Sequence, residues 1–331
     1  MNVYFDLANL RSYAKSGGHP DFFTCTDMLR QNFNIRFTFD KAQIQKEKKQ
    51  TQMSIMNLMK QLSRNRGDSE AIKWNDNYPP RPLSEELYDK MDFEKLTSVY
   101  LLDDGNIKEM VNHGCLLVAE EGNEMKALDN LLVAGKPSTK AYAVKEMKDW
   151  SLLEDNASPC TDIIVVDPYF FAQSDLLYEY NSYKVMECLA KWNKTHSLNI
   201  VIFTFPQHKD GANTMCDIPF TLIGRQLKGR LQTLTDATPN ITFVKLPHGK
   251  EHDRTIITNY KMFDSGNSFT YFNDKGENKS SGRWFHVHTH GDRDTRAQAL
   301  DYLRDLQQLV DDLKSGLNSI IGDKKSNFLK F

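Results

Sequence analysis

The stretch from His252 to Phe269 reads HDRTIITNYKMFDSGNSF. His252 and Arg254 are two residues apart, so their side chains point to the same side of an extended strand. The run Ser265–Ser268 reads Ser-Gly-Asn-Ser, which predicts a turn that presents backbone N–H groups and small hydroxyls to an anion. A nucleophile or acid, a fixed cation and a donor-rich turn are the groups that a phosphodiester-binding site requires.

The sequence around this stretch alternates predicted strands and helices. The predicted strands are Asp162–Phe171, Asn199–Phe205, Asn240–Leu246 and His252–Tyr260, with a turn at 264–268. The predicted helices are Tyr178–Lys194, Leu222–Leu234 and Asp294–Lys314. Strands that alternate with helices and end in a tight strand pair predict an α/β sandwich with a mixed sheet.

The first half of the chain has a weaker pattern of the same kind. It contains predicted strands at Met1–Phe5, Ile35–Phe39, Ser98–Leu102 and Cys115–Ala119, and predicted helices at Asp40–Gln61 and Glu124–Ala134. Residues 64–84, with three prolines, predict a loop. We therefore expect an α/β N-terminal region at 1–156 and a second domain at 157–331.

The spacing of the opening stretch resembles the motif of the phospholipase D-like (HKD) superfamily, H-x-K-x4-D-x6-G-S-x-N. His252 and Gly266 match the histidine and glycine of that motif. The other motif positions are occupied by Arg254, Asn259, Asn267 and Phe269. The order of predicted elements over residues 157–315 also agrees with one repeat of this superfamily, so the resemblance implies a phospholipase D-like α/β sandwich.

The resemblance implies a metal-independent phosphodiesterase that needs no cofactor. It assigns to His252 the attack on phosphorus, with formation of a phosphohistidine. Arg254 would bind the nonbridging oxygens, Asn259 would orient the imidazole, and a second histidine would protonate the leaving oxygen. Gly266 and Asn267 would belong to the anion-binding turn. Nucleic acid is the favoured substrate and partner, and a role in bacterial defence or in a mobile element is an analogy at the level of the family.

One motif per chain leaves two ways to complete such a site, because the superfamily often builds one active site from two repeats. A homodimer would pair two copies of His252, or residues 1–156 would be a degenerate second repeat. The alternative function is a catalytically inactive module that binds a partner protein, nucleic acid or anionic lipid. The MIT-associated C-terminal domain, a phospholipase D-like membrane-binding module, has a similar H-D-R start. Asn259 favours this alternative, because replacing aspartate by asparagine in the serine-protease triad costs about four orders of magnitude in rate.

A row of histidines is a second candidate site. His286, His288 and His290 alternate, so a strand would place them on one face, where they could bind zinc with Asp292 as a further ligand. The alternatives are one face of an exposed strand, or one histidine that serves as the second histidine of the phosphodiester site.

Basic residues suggest where a phosphate backbone would bind. The candidates are Arg225, Lys228, Arg230, Lys245 and Lys250. A second group could extend them: Lys41, Lys46, Lys48, Lys49, Lys60, Arg64 and Arg66. The simpler interpretation is that these charges lie on solvated helix faces.

Acidic residues follow several predicted strands. Asp6, Asp103–Asp104 and Glu120–Glu121 could bind Mg²⁺, or they belong to turns. Asp167 lies at the end of a predicted strand, and we expect it to be a structural partner of the 264–268 loop.

Composition limits the class of protein. The 331 residues include 40% apolar and 26% charged residues, as in an ordinary globular protein, and the net charge of −2 argues against a globally basic nucleic-acid coat. The five cysteines form no C-x-x-C pair, so the sequence predicts neither a disulfide framework nor a zinc knuckle. Neither a signal peptide nor an apolar run of about 20 residues is evident. We therefore expect a cytoplasmic protein with reduced thiols and no membrane span.

Overall fold

The computed structural model describes residues 2–64, 71–76, 99–101, 117–118, 139–158, 160–171, 175–191, 193, 198–209, 214–235, 238–247, 254–279, 283–316 and 318–331. Contacts between residues divide the chain into two compact units. Unit 1 contains Met1–Thr139 and Thr289–Ala297, and unit 2 contains Lys140–His288 and Gln298–Phe331. Within the described ranges, no helix is both long enough and apolar enough to cross a membrane.

Unit 1 contains a parallel sheet. Its strands are β1 (Asn2–Phe5), β2 (Asn34–Phe37), β3 (Ile72–Lys73), β4 (Val99–Leu101) and β5 (Leu117–Val118). They lie in the order β3-β2-β1-β4-β5, and every neighbouring pair is parallel. The helices are α1 (Leu7–Lys15), α2 (Phe22–Asn32) and α3 (Lys49–Ser63). Apolar residues at helical spacing, such as Leu10, Leu29 and Leu58, are buried, because each helix packs one face into the core.

The strands predicted in the first half are present, in shorter form, but the helices differ. The predicted helix Asp40–Gln61 is a 3₁₀ helix at Lys41–Lys46 followed by α3, because Glu47 and Lys48 adopt an extended backbone that interrupts it. Helices α1 and α2 were not predicted, and β3 lies inside the predicted loop. The predicted helix Glu124–Ala134 lies outside the described residues.

Unit 2 contains a larger mixed sheet. Its strands are β6 (Thr139–Ala143), β7 (Asp162–Val166), β8 (Asn199–Thr204), β11 (Asn240–Lys245), β12 (Thr255–Thr258), β13 (Lys261–Ser265), β14 (Trp284–Thr289) and β15 (Ile320–Gly322). A separate hairpin pairs β9 (Gln207–Lys209) with β10 (Met215–Asp217). The helices are α4 (Ser151–Asn156), α5 (Asp175–Tyr180), α6 (Ser182–Ala190), α7 (Phe220–Gln232) and the part of α8 (Arg293–Leu313) that begins at Gln298.

The eight strands lie in the order β15-β11-β8-β7-β12-β13-β14-β6. Strands β7, β8 and β11 are parallel, and β12 is antiparallel both to β7 and to β13. Strands β7 and β8 are buried along their whole length, as continuous apolar runs in the sequence predict for central strands. The prediction of a mixed α/β architecture is therefore confirmed.

Several boundaries in unit 2 differ from the predictions. The predicted strand Asp162–Phe171 ends at Val166, because Asp167 and Pro168 begin a turn that returns the backbone N–H of Phe170 to the Asp167 carbonyl. The predicted helix Tyr178–Lys194 is divided at Asn181, whose buried side chain bonds to the backbone of Phe272. The hairpin β9–β10 and the strand β15 were not predicted.

Residues 140–156 belong to unit 2, although the predicted N-terminal region extended to residue 156. Asn278 Nδ2 donates to the carbonyl oxygens of Val144 and Met147, at 2.7 and 2.8 Å. Trp150 stacks on Tyr271 with a centroid distance of 5.0 Å. These contacts join residues that are far apart in the sequence, so no local pattern indicates them.

The two sheets differ in strand order and in strand direction. The unit 1 sheet is parallel throughout, and the unit 2 sheet continues from three parallel strands into an antiparallel hairpin. This difference does not support the alternative that residues 1–156 are a degenerate second repeat of the same fold.

Candidate functional site

The hairpin β12–β13 organises the candidate site in unit 2. A two-residue loop, Asn259-Tyr260, joins the strands and sets their register, so that Thr255 pairs with Asp264. One step beyond this pair, the Arg254 carbonyl accepts a hydrogen bond of 2.9 Å from the Ser265 backbone N–H. The register therefore places Arg254 beside the start of the Ser-Gly-Asn-Ser loop.

A cavity of about 460 Å³ lies at this end of the hairpin. It is lined by Arg254, Thr255, Met262, Asp264, Ser265, Gly266, Gln298 and Tyr302. The last two residues come from α8, which contributes a carboxamide and a phenol. The lining therefore combines one cation with several hydrogen-bonding groups, and its volume is within the range of small-ligand sites.

An aspartate–histidine pair belongs to the same end of the hairpin. Asp264 Oδ1 accepts a hydrogen bond of 2.9 Å from the Thr255 hydroxyl, and Asp264 Oδ2 lies 3.0 Å from His288 Nε2. Both side chains are partly exposed. A carboxylate that holds one imidazole nitrogen fixes the tautomer and the orientation of the ring, which suits general acid–base chemistry.

The loop Ser265–Ser268 is held by contacts on both sides. The Ser265 hydroxyl bonds to the Tyr271 hydroxyl, and the Ser268 hydroxyl donates to Asp167 Oδ2 at 2.7 Å. Arg283 donates to the Gly266 carbonyl at 2.9 Å and to the Asn267 side-chain oxygen. Much of the hydrogen-bonding capacity that the sequence predicted for an anion is therefore used within the protein.

Asp167 is the buried anchor of this loop, as the sequence analysis expected. It accepts hydrogen bonds from the backbone N–H groups of Tyr169 and Phe269, at 2.9 and 2.8 Å, in addition to the Ser268 hydroxyl. Burial raises the pKa of Asp167, while these donors and the charge of Arg254 act in the opposite direction. The Arg254 guanidinium also lies 5.9 Å from the centre of the Tyr169 ring.

Asn259 lies at the other end of β12 from Arg254. Its buried side chain accepts a hydrogen bond of 2.8 Å from the Thr161 backbone N–H and donates one of 3.1 Å to the Thr161 hydroxyl. Asn259 is five residue steps from Arg254, which corresponds to roughly 16 Å at about 3.3 Å per residue. The structure therefore does not bring Asn259 to Arg254, and its amide anchors the hairpin to the start of β7.

The histidine row is divided. His286 and His288 are partly exposed on one face of β14, with ring centroids 6.0 Å apart, whereas His290 is buried beyond the end of the strand. Among the described residues, no group of three or more His, Cys, Asp or Glu side chains is arranged to hold a metal ion. His288 instead contacts Asp264 of β13.

The candidate phosphate-binding residues of α7 and β11 fall into two groups, those paired with carboxylates and those that line a cavity. Lys228 pairs with Asp323 at 2.6 Å, and Arg230 pairs with Glu179 and Glu187 while it stacks on Tyr183. Arg225 and Lys245 line a separate cavity of about 540 Å³. Two of the predicted phosphate-binding cations are thus neutralised by carboxylates, and the other two described ones lie together.

Several predicted residues lie outside the described part of the chain: His252, Lys250, Arg66, Asp103, Asp104, Glu120, Glu121 and Cys115. Asp6 is described, and it caps the N-terminus of α1.

Four residues of the site were not predicted: Asp264, Arg283, Gln298 and Tyr302. Asp264 lies within the opening stretch, and a two-residue hairpin loop at 259–260 would have paired it with Thr255. No sequence signal connects Gln298 or Tyr302 to this site, because their helix reaches it only through the tertiary fold.

The chain matches no protein-family model and no curated protein sequence.

Proposed function

We propose that unit 2 is a metal-independent phosphodiesterase of the phospholipase D-like type, with nucleic acid as its substrate. One observation carries the proposal: the β12–β13 hairpin brings Arg254, Asp264 and a polar loop to one cavity, and Asp264 contacts His288 of β14. These are the groups that substitution at phosphorus requires, and they come from residues close to the resemblance motif.

Each group has a defined task in this proposal. Arg254 binds the nonbridging phosphate oxygens through charge-assisted hydrogen bonds. The imidazole of His252, two residues earlier in the chain, attacks phosphorus, and the bond to the leaving oxygen breaks. His288, oriented by Asp264, donates the proton that this oxygen takes up, and later removes a proton from the water that hydrolyses the phosphohistidine.

The proposed substrate follows from the remaining positive charge. Lys228 and Arg230 are paired with carboxylates, so they add little to the attraction of a polyanion. Arg254 and Arg283, which both contact the Ser265–Ser268 loop, provide two positive charges for neighbouring phosphates. This short basic surface fits a few nucleotides of a single strand better than an extended duplex.

The test is hydrolysis of bis(4-nitrophenyl) phosphate, single-stranded DNA and RNA in the presence of EDTA. We expect His252→Ala to abolish turnover and His288→Gln to lower kcat by about 10² or more. Arg254→Gln should raise KM and lower kcat, whereas Lys275→Gln, at an exposed lysine outside the candidate phosphate-binding residues, should leave both unchanged. Turnover that survives both Arg254→Gln and His288→Gln would overturn the proposal.

The second candidate function is a catalytically inactive module that binds the same class of ligand. It is favoured by the Ser265–Ser268 loop, whose serine hydroxyls bond to Tyr271 and Asp167. Wild-type protein that hydrolyses none of the substrates, but binds a short single-stranded oligonucleotide that Arg254→Gln does not bind, would support this function.

A further inference from the structure

The parallel sheet of unit 1 has a topological switch point. The strands lie in the order β3-β2-β1-β4-β5. From β1, successive strands β2 and β3 are added on one side of the sheet, and β4 and β5 are added on the other side, so the order reverses between β1 and β4. In open parallel sheets, ligands bind in the crevice beyond the carboxyl ends of the strands at the point where the order reverses. Phe5 pairs with Leu101, so β1 and β4 end at the same level of the sheet. The residues that follow β1 are therefore placed where this fold binds ligands.

Two oxygen-bearing side chains follow β1. Asp6 is the N-cap of α1, and its Oδ1 accepts hydrogen bonds from the Asn9 backbone N–H at 2.7 Å and from Asn9 Nδ2 at 3.1 Å. The Asn9 side chain has 0% exposure, and its Oδ1 has no hydrogen-bond partner in the part of the chain that the structure describes. The amide orientation is determined by Asp6, because a carboxylate oxygen can accept a hydrogen bond only from the nitrogen.

The buried amide oxygen of Asn9 therefore needs an explanation that helix capping does not provide. A buried acceptor without a donor destabilises the folded state, because it loses its hydrogen bonds to water and gains none within the protein. Asn carbonyl and Asp carboxylate oxygens are ligands for hard divalent cations, and Mg²⁺ is commonly held by one or two carboxylates while it keeps several water molecules. A cation beside Asp6 would give the Asn9 oxygen the partner that it lacks.

We propose that Asp6 and Asn9 bind a divalent cation of the Mg²⁺ class at the carboxyl edge of the unit 1 sheet. The N-terminus of α1 carries a partial positive charge, which by itself repels a cation. The negative charge of Asp6 is therefore required for the site, while the Asn9 oxygen adds a neutral ligand. This site is separate in sequence from the residues of the proposed phosphodiesterase site, which needs no metal.

The first test compares two aspartate variants of the full chain with Mn²⁺ as the probe, by isothermal titration calorimetry. Asp6→Asn retains an N-cap but removes the charge, because Asn and Asp cap helices equally well. Asp40→Asn is the matched control: Asp40 caps the 3₁₀ helix after β2, its Oδ1 accepting from Ala42 N at 2.8 Å. We expect Asp6→Asn to weaken Mn²⁺ binding at least about tenfold, and Asp40→Asn to leave it unchanged.

The second test adds a carboxylate at Asn9, whereas the first removes the carboxylate of Asp6. Asn9→Asp removes the donor to Asp6 and places two carboxylates together, so we expect a lower Tm in EDTA and a larger rise of Tm with Mn²⁺ than in the wild type. The proposal is overturned if the wild type binds no Mn²⁺ at millimolar concentration, or if the two aspartate variants bind it equally. It is also overturned if Mn²⁺ does not restore the Tm of Asn9→Asp.

Discussion

Lys261 is a buried lysine in the fold of unit 2, and its charge should oppose folding at neutral pH. The residue is the first of β13, directly after the hairpin loop, and it is 2% exposed. Burial lowers the pKa of Lys261 from 10.5 to about 7, and the charge of Lys140 acts in the same direction. The unfolded chain therefore binds a proton at Lys261 that the folded protein holds weakly.

The sign of the pH dependence follows from this difference. The folded pKa is lower than the unfolded one, so the free energy of unfolding rises with pH between about 7 and 10.5. Below pH 7 both states are protonated, and the penalty is constant at roughly 5 kcal/mol. Lys261→Met replaces the charged amine by an apolar group of similar length. We therefore expect the variant to be more stable than the wild type by several kcal/mol at pH 6, with the advantage declining toward pH 10.

The assay must report on unit 2 alone, because two compact units need not unfold together. Hydrogen exchange of peptides that cover β12 and β13, measured by mass spectrometry at several pH values and corrected for the intrinsic exchange rate, provides the local free energy of opening. Lys275→Met, at an exposed lysine, is the control and should change this free energy by less than about 0.5 kcal/mol. A Lys261→Met variant that is no more stable than the wild type at pH 6 would refute the reasoning.

Two further predictions concern the ends of the unit 2 sheet. Gly322→Ala should lower the Tm, because φ at this residue is +111° and a Cβ would lie 2.1 Å from the Ile241 carbonyl oxygen. Gly229→Ala is the control, since a Cβ at this position meets no atom within 4 Å. This variant should keep or raise the Tm. Asp162→Asn should cost about 1–3 kcal/mol and speed proteolysis of the C-terminal residues, because Asp162 accepts three hydrogen bonds of 2.7 Å from Ser326 and Asn327.

The central strands could be predicted from the sequence because their signals are local. Strands β7, β8 and β11 are apolar runs that are bounded by polar or turn-forming residues, and burial on both faces requires that composition. The interruption at Asn181 could not be predicted, because its cause is a hydrogen bond to Phe272, 91 residues later in the chain. Edge strands such as β15 are short and only partly buried, so they leave little pattern.

The candidate site was predictable in part for the same reason. Arg254 and the Ser-Gly-Asn-Ser run lie close in the sequence, next to β12 and at the end of β13, so their spacing is a local signal. The contact between Asp264 and His288 depends on which strand lies beside β13. Residue spacing alone suggested a metal site for His288, because alternating histidines lie on one face of a strand. Spacing does not indicate which side chains of the neighbouring strand contact that face.

Asn259→Asp tests which end of β12 carries the chemistry. If Asn259 oriented a catalytic imidazole, aspartate would restore the motif and raise phosphodiesterase activity by orders of magnitude. The structure instead commits its amide to Thr161, roughly 16 Å along the strand from Arg254. Aspartate would lose the donor to the Thr161 hydroxyl and bury a charge. We therefore expect Asn259→Asp to lower the free energy of unfolding by about 1–3 kcal/mol and to leave kcat unchanged.

The corresponding control is Asn259→Ala, which removes the same hydrogen bonds without adding a charge. It should destabilise the hairpin by a similar mechanism and also leave kcat unchanged in the folded fraction. A gain of activity in Asn259→Asp alone would contradict this account and return Asn259 to the active site. Without such a gain, the presence of Asn259 in place of aspartate is no evidence against catalysis. Asn259 then has a structural task at one end of β12, whereas Arg254 binds phosphate at the other end. The question of activity would then rest on His252, Arg254 and the Asp264–His288 pair.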